Sequence, residues 1–105
     1  TAPGRRIAVL GEMLELGHWA EPLHAELGSY AAKSGFSVLL GIRGAARFAI
    51  ESAVKAGLSA RAACFFESPE QAGEALQHIA VPGDTILFKG SRGTRVELAL
   101  ERFLA

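Results

Sequence analysis

The residues best equipped for chemistry run from Lys89 through Gly90, Ser91, Arg92, Gly93, Thr94 and Arg95, directly after the apolar run Thr85-Ile86-Leu87-Phe88. Lysine, arginine and serine side chains supply donors for an anion, and glycines let backbone N–H groups approach one closely. Thr94 and Glu97 have the T-x-x-E spacing of a capping box, so a helix is expected to open there and turn its positive end toward the same loop. On that reading Glu97 is the capping partner rather than a base. A tight strand-to-helix turn carrying solvated basic residues accounts for the same composition, and both readings stand at this level. A triphosphate-gripping loop needs its lysine after the second glycine of G-x-x-x-x-G-K-[ST]; here Lys89 precedes Gly90, so that role is not expected.

A second cluster, Gly11-Glu12-Met13-Leu14-Glu15-Leu16-Gly17-His18, continues to Trp19, Glu21 and His24. Its carboxylates and imidazoles lack the H-E-x-x-H arrangement or any Cys/His pairing, so no metal site is expected. His24 shares a helical register with Leu23 and Leu27 and is placed to orient the preceding loop. Trp19 suits either the mouth of a crevice or a core position. Gly41-Ile42-Arg43-Gly44-Ala45 is too loose a match to a dinucleotide fingerprint and reads as a close strand-to-helix turn. Cys64, the single cysteine, lies in Ala62-Ala63-Cys64-Phe65-Phe66 and is expected to be a buried, inert thiol in a reducing, cytoplasmic setting.

The elements that would position these loops follow from hydrophobic patterning. Apolar runs at 7–11, 37–42, 62–66 and 85–88 are continuous rather than alternating, as in strands buried on both faces of a parallel sheet. Between them lie helical segments. One, from about Trp19 to Ser34, aligns Leu23, Leu27, Tyr30 and Ala31 and stops at Gly35; the next, 44–56, stops at Gly57. Ser68-Pro69-Glu70-Gln71 opens a third with an N-cap serine and a proline at the first position, and Val81-Pro82-Gly83-Asp84 forms a turn after it. The last aligns Val96, Ala99, Leu100, Phe103 and Leu104. The order βαβαβαβα implies a three-layer α/β domain with right-handed crossovers, whose ligand loops gather at the carboxyl ends of the strands. With 105 residues, one domain is expected. A formal net charge of zero lacks the positive field of a nucleic-acid binder, and no apolar run approaches the ~18 residues that span a bilayer.

RIAVLGEMLELG (Arg6 to Gly17), His24 with Gly28, and GDTILFKGSRGTRVE (Gly83 to Glu97) together resemble the C-terminal domain of the Mur ligases, in the group that adds D-alanyl-D-alanine. Glu12 stands where that family usually has aspartate and Val96 where it often has methionine; neither change removes a charge. The resemblance implies a Rossmann-like domain with a mainly parallel sheet in the order 4-1-2-3. It also implies a part in an ATP-dependent ligase that joins D-Ala-D-Ala to UDP-MurNAc-tripeptide through an acyl phosphate, in peptidoglycan precursor synthesis. ATP and Mg2+ would be held mainly by a central ATPase domain of the same chain, onto which this domain closes, and the 105 residues alone would be inactive. Lys89, Gly90, Ser91 and Arg92 match the block that borders the incoming substrate, with Arg92 suited to a carboxylate. Glu12, Glu15 and His24 match the neighbouring crevice loop. A stand-alone α/β module for a small anion or nucleotide is the alternative.

In the family a strand and a helix precede the first strand found here, so the domain at 1–105 is expected to lack them. The run Thr85 to Phe88 would then be an open sheet edge, suited to self-association.

Overall fold

The computed structural model describes residues 4–105. Its elements are β1 (Arg6–Gly11), α1 (Ala20–Lys33), β2 (Val38–Ile42), α2 (Ala46–Lys55), β3 (Ala63–Phe66), α3 (Pro69–Ile79), β4 (Thr85–Lys89) and α4 (Glu97–Leu104). Short 3-10 turns occupy Gly17–Trp19, Ala60–Ala62 and Arg92–Thr94. All strand pairings are parallel and the sheet order is β3-β2-β1-β4, which is the expected 4-1-2-3 seen from the other side.

Two apolar layers sandwich the sheet. On one face Ile7, Val9, Leu40 and Ile42 meet Ala72 and Leu76 of α3 and Ala99 of α4, with Ile86 and Phe88 joining from β4. On the other, Ala8, Leu10 and Leu39 meet Ala31 of α1 and Ala49 and Ala53 of α2. Small residues let each helix pair approach closely. A Cβ on Gly28 would overlap the Ala49 carbonyl across the α1–α2 contact, and one on Gly73 would stand 2.5 Å from the Ala99 carbonyl oxygen across α3–α4.

Local signals set most of the element ends. The Ser68 hydroxyl accepts from the Gln71 amide at 3.2 Å, with Pro69 at the first position of α3. Gly35 and Gly57 follow α1 and α2 with φ of 87° and 115°, conformations open to glycine. The turn 81–84 is closed by the Asp84 amide on the Val81 carbonyl, and Asp84 accepts from the Arg5 amide and guanidinium. That guanidinium hydrogen bond, with the Val81 and Arg5 amides, holds the Asp84 carboxyl down at about 2.

Three expectations change. Only β1 and β2 are buried on both faces; β3 is half-buried throughout, and β4 alternates, with Thr85, Leu87 and Lys89 exposed. Both are edge strands, and on the α1/α2 face no described helix covers β4. The buried stripe of α1 is His24, Gly28 and Ala31 rather than one running through Leu23 and Tyr30; those two face the uncovered groove, and Tyr30 is 69% exposed. Cys64, on edge strand β3, is half-buried rather than buried.

Candidate functional site

The loops after β1, β2 and β4 converge at the carboxyl end of the sheet, and three consecutive residues, Glu12, Met13 and Leu14, tie them together. The Glu12 amide donates to the Ile42 carbonyl at 2.9 Å, extending the sheet ladder by one step. Its carboxylate accepts from the Ala45 amide at 2.9 Å. Helix α2 opens at Ala46 with Ala45, which has no capping side chain, before it; Glu12 supplies from across the sheet the negative oxygen that a local N-cap would give. Gly44 fits beneath that carboxylate, where a Cβ would collide with it. The Met13 amide donates to His24 Nε2 at 2.9 Å, and the Leu14 amide donates to the Ser91 hydroxyl at 2.9 Å. The Thr94 hydroxyl donates to the Glu12 carbonyl.

The predicted capping box is therefore not formed. Residues Arg92–Thr94 make a 3-10 turn, Arg95 follows in the left-handed region with φ 54°, and α4 begins only at Glu97. Thr94, 1% exposed, is committed to Glu12, while Glu97 lies 3.5 Å from Arg95 at the surface. The Thr94 hydroxyl is taken by a tertiary hydrogen bond to the part-buried Glu12 carbonyl, and a hydroxyl spent there does not cap the helix. The glycines of this loop serve packing. A Cβ on Gly90 would stand 3.0 Å from Gly11 Cα, and one on Gly93 would strike the Leu14 side chain.

The sequence-derived residues thus divide. Glu12, His24, Gly90 and Ser91 form the joint between loops. Glu15 sits on the exposed part of the first loop with φ 63°. Lys89, on the exposed face of β4, lines an apolar groove of about 430 Å³ with Met13, Leu16, Leu23, Glu26, Leu27 and Tyr30. Arg92 is exposed beyond the strand, and its side chain makes no hydrogen bond or ion pair among the described residues. Trp19, 59% exposed, packs on His18 with ring centroids 4.8 Å apart and takes no core position. Arg43 and Gly44, both at positive φ, make the close turn after β2. Among the described residues no three His, Cys, Asp or Glu side chains gather as a metal site, and no helix is long and apolar enough to cross a membrane.

Sequence reasoning missed the parts of Ser91 and Thr94 in this joint. Their partners lie 77 and 82 positions away, and a serine or threonine beside glycine carries no mark of such a partner.

A parallel three-layer sheet with its loops joined at the carboxyl edge defines an α/β domain of Rossmann-like topology. The chain belongs to the Mur ligase, glutamate ligase domain family, whose model matches residues 1–92. It is 33% identical over 94 residues to the UDP-N-acetylmuramoyl-tripeptide–D-alanyl-D-alanine ligase of Bacillus subtilis (strain 168), a match covering 90% of this chain and 20% of that protein. The MurF ligase of Thermotoga maritima, solved in complex with ADP, superposes with a TM-score of 0.76 at 29% identity, over 96% of this chain and 22% of that one. A MurF structure from Acinetobacter baumannii shares the fold, with a TM-score of 0.80 at 24% identity over 99% of this chain and 23% of that one. The 105 residues span about a fifth of the length of these relatives.

Proposed function

We propose that the chain is the substrate-binding and closing domain of an ATP-dependent ligase that joins D-Ala-D-Ala to UDP-MurNAc-tripeptide in the cytoplasm. The family match and the identity to D-alanyl-D-alanine-adding relatives support this reading. The reaction class requires the tripeptide's terminal carboxylate to be activated as an acyl phosphate, the dipeptide amine to attack it, and the resulting oxyanion to be stabilised away from water. The residues of this chain do not fit the nucleotide and Mg2+: Lys89-Gly90-Ser91 runs in the wrong order for a phosphate-gripping loop, and the described residues offer no cluster of acidic ligands. Those groups belong, on this reading, to the central ATPase domain that this one closes against, and the 105 residues alone do not turn over.

What this domain brings is a cation on an anchored loop. The observation that carries the proposal is Arg92, an uncommitted guanidinium on a loop that Ser91 and Thr94, on either side of Arg92 and Gly93, fasten to the first loop. A planar guanidinium carried on such an anchored loop is suited to bidentate pairing with a carboxylate such as that of D-Ala-D-Ala. In the complete ligase, Arg92→Ala is expected to raise the KM for the dipeptide about tenfold or more, the loss of a charge-assisted hydrogen bond, with the KM for ATP little changed. An unchanged dipeptide KM would remove Arg92 from the site.

A further inference from the structure

His24 is 1% exposed, yet it is neither a core hydrocarbon nor a surface group. Its Nδ1 lies 2.7 Å from the Ala20 carbonyl oxygen, one helical turn back, and its Nε2 lies 2.9 Å from the Met13 amide nitrogen. These partners leave no freedom in the proton count. A carbonyl oxygen only accepts, so Nδ1 must carry a hydrogen; a backbone N–H only donates, so Nε2 must present its lone pair. An imidazolium would set two N–H groups against each other at Met13, and the other neutral tautomer would fail at both ends.

We propose that His24 is a positioning residue that acts through the Met13 amide, as a neutral imidazole protonated on Nδ1, to hold the Glu12–Leu14 backbone in place across the crevice. Helix α1 is packed closely against α2 through Gly28, so the ring stands on an element backed by the core. The first loop hangs from that ring at Met13, while its neighbours on either side grip the other loops: Glu12 holds Ala45 and receives Thr94, and Leu14 holds Ser91. Releasing Met13 frees the middle of that joint and, through Ser91, the loop that presents Arg92. The consequence for dipeptide binding rests on the function proposed above; the tautomer and the loop anchoring do not.

Nitrogen NMR of the chain labelled in its three histidines tests the first part directly. His24 is expected as a single tautomer with a bare Nε2, distinct in its nitrogen shifts from the exposed His18 and His78. A hydrogen on Nε2 of His24 at neutral pH would overturn the inference without any mutation. Two variants then separate the ring's ends. Glutamine places an oxygen near the Nε2 position and keeps an acceptor for Met13; asparagine places its NH2 near Nδ1, keeps the bond to Ala20 and leaves Met13 without a partner. His24→Asn is expected to speed exchange of the Met13 and Leu14 amides about tenfold, the scale of one lost hydrogen bond, with His24→Gln nearer the parent. Equal acceleration in both variants, or none in either, would overturn the inference. In the complete ligase, His24→Asn should raise the dipeptide KM more than it lowers kcat, and His24→Gln should recover much of the loss. If Arg92→Ala raises that KM and His24→Asn does not, the positioning role fails. If Arg92→Ala changes nothing, the functional reading fails, and the tautomer and exchange results still decide the role of His24.

Discussion

The two faces of the sheet are built alike and finished differently. Over α3 and α4 the apolar layer extends past β1 to the edge, where Ile86 and Phe88 of β4 are packed against the helices. Over α1 and α2 the layer stops at β1, and Leu87, 47% exposed, shares an apolar hollow of about 190 Å³ with Leu10, Leu27, Tyr30 and Phe36. The same strand is therefore finished on one side and bare on the other. Each face has one glycine crossing that fixes its helix pair, but the crossings differ in tightness: Gly28 faces only the Ala49 backbone, while Gly73 faces the Ala99 carbonyl oxygen and the Arg102 side chain.

The largest effect expected from breaking this comparison is at the α1–α2 crossing. Gly28→Ala forces a methyl into the backbone of Ala49, which cannot yield as a side chain end would, and should destabilise the domain by about 3 kcal/mol, read from urea unfolding. Gly73→Ala meets the Ala99 carbonyl oxygen at 2.5 Å and the Arg102 side chain, part of which can swing away; a loss of about 1–2 kcal/mol is expected. Equal losses at both sites would erase the distinction between the two crossings.

A smaller effect concerns the bare side. We propose that the open edge of β4 self-associates. A two-fold antiparallel pairing centred on Leu87 sets Lys89 opposite Thr85, so no like charges meet. Sedimentation should show a concentration-dependent dimer, and Leu87→Lys should return it to monomer with little change in unfolding stability. A monomer at all concentrations would rule out that pairing.

The smallest effect lies where the chain enters β4. Because the folded Asp84 carboxyl is held at about 2, below its unfolded value near 3.8, its contribution is complete above the unfolded value and is lost as pH falls through the folded one. Asp84→Asn should flatten that acid limb of the stability curve, measured by thermal unfolding from pH 5 down to about 2.

Much of the fold was legible because its signals are local. Buried-strand runs at β1 and β2, the Ser68 cap with Pro69, and glycine stops at Gly35 and Gly57 each act within a few residues of where they appear. The capping box at Thr94 misled for the same reason: a local pattern was read without its competitor, the Glu12 carbonyl across the crevice. The α1 stripe was misplaced because Leu23 and Tyr30 are apolar at helical spacing, yet their face meets an uncovered edge, while polar His24 goes inside with both nitrogens satisfied.

By itself the sequence determined the alternation of strands and helices, their punctuation, and the loop that carries Lys89, Gly90, Ser91 and Arg92. Hydrophobic period and backbone preference are properties of neighbouring residues and need no fold to be read. Only the tertiary structure decided which of those loop residues are free to meet a ligand. Ser91 is bound to Leu14 and Gly90 is packed on Gly11, while Arg92 is left open, since such commitments depend on groups brought together from opposite ends of the chain.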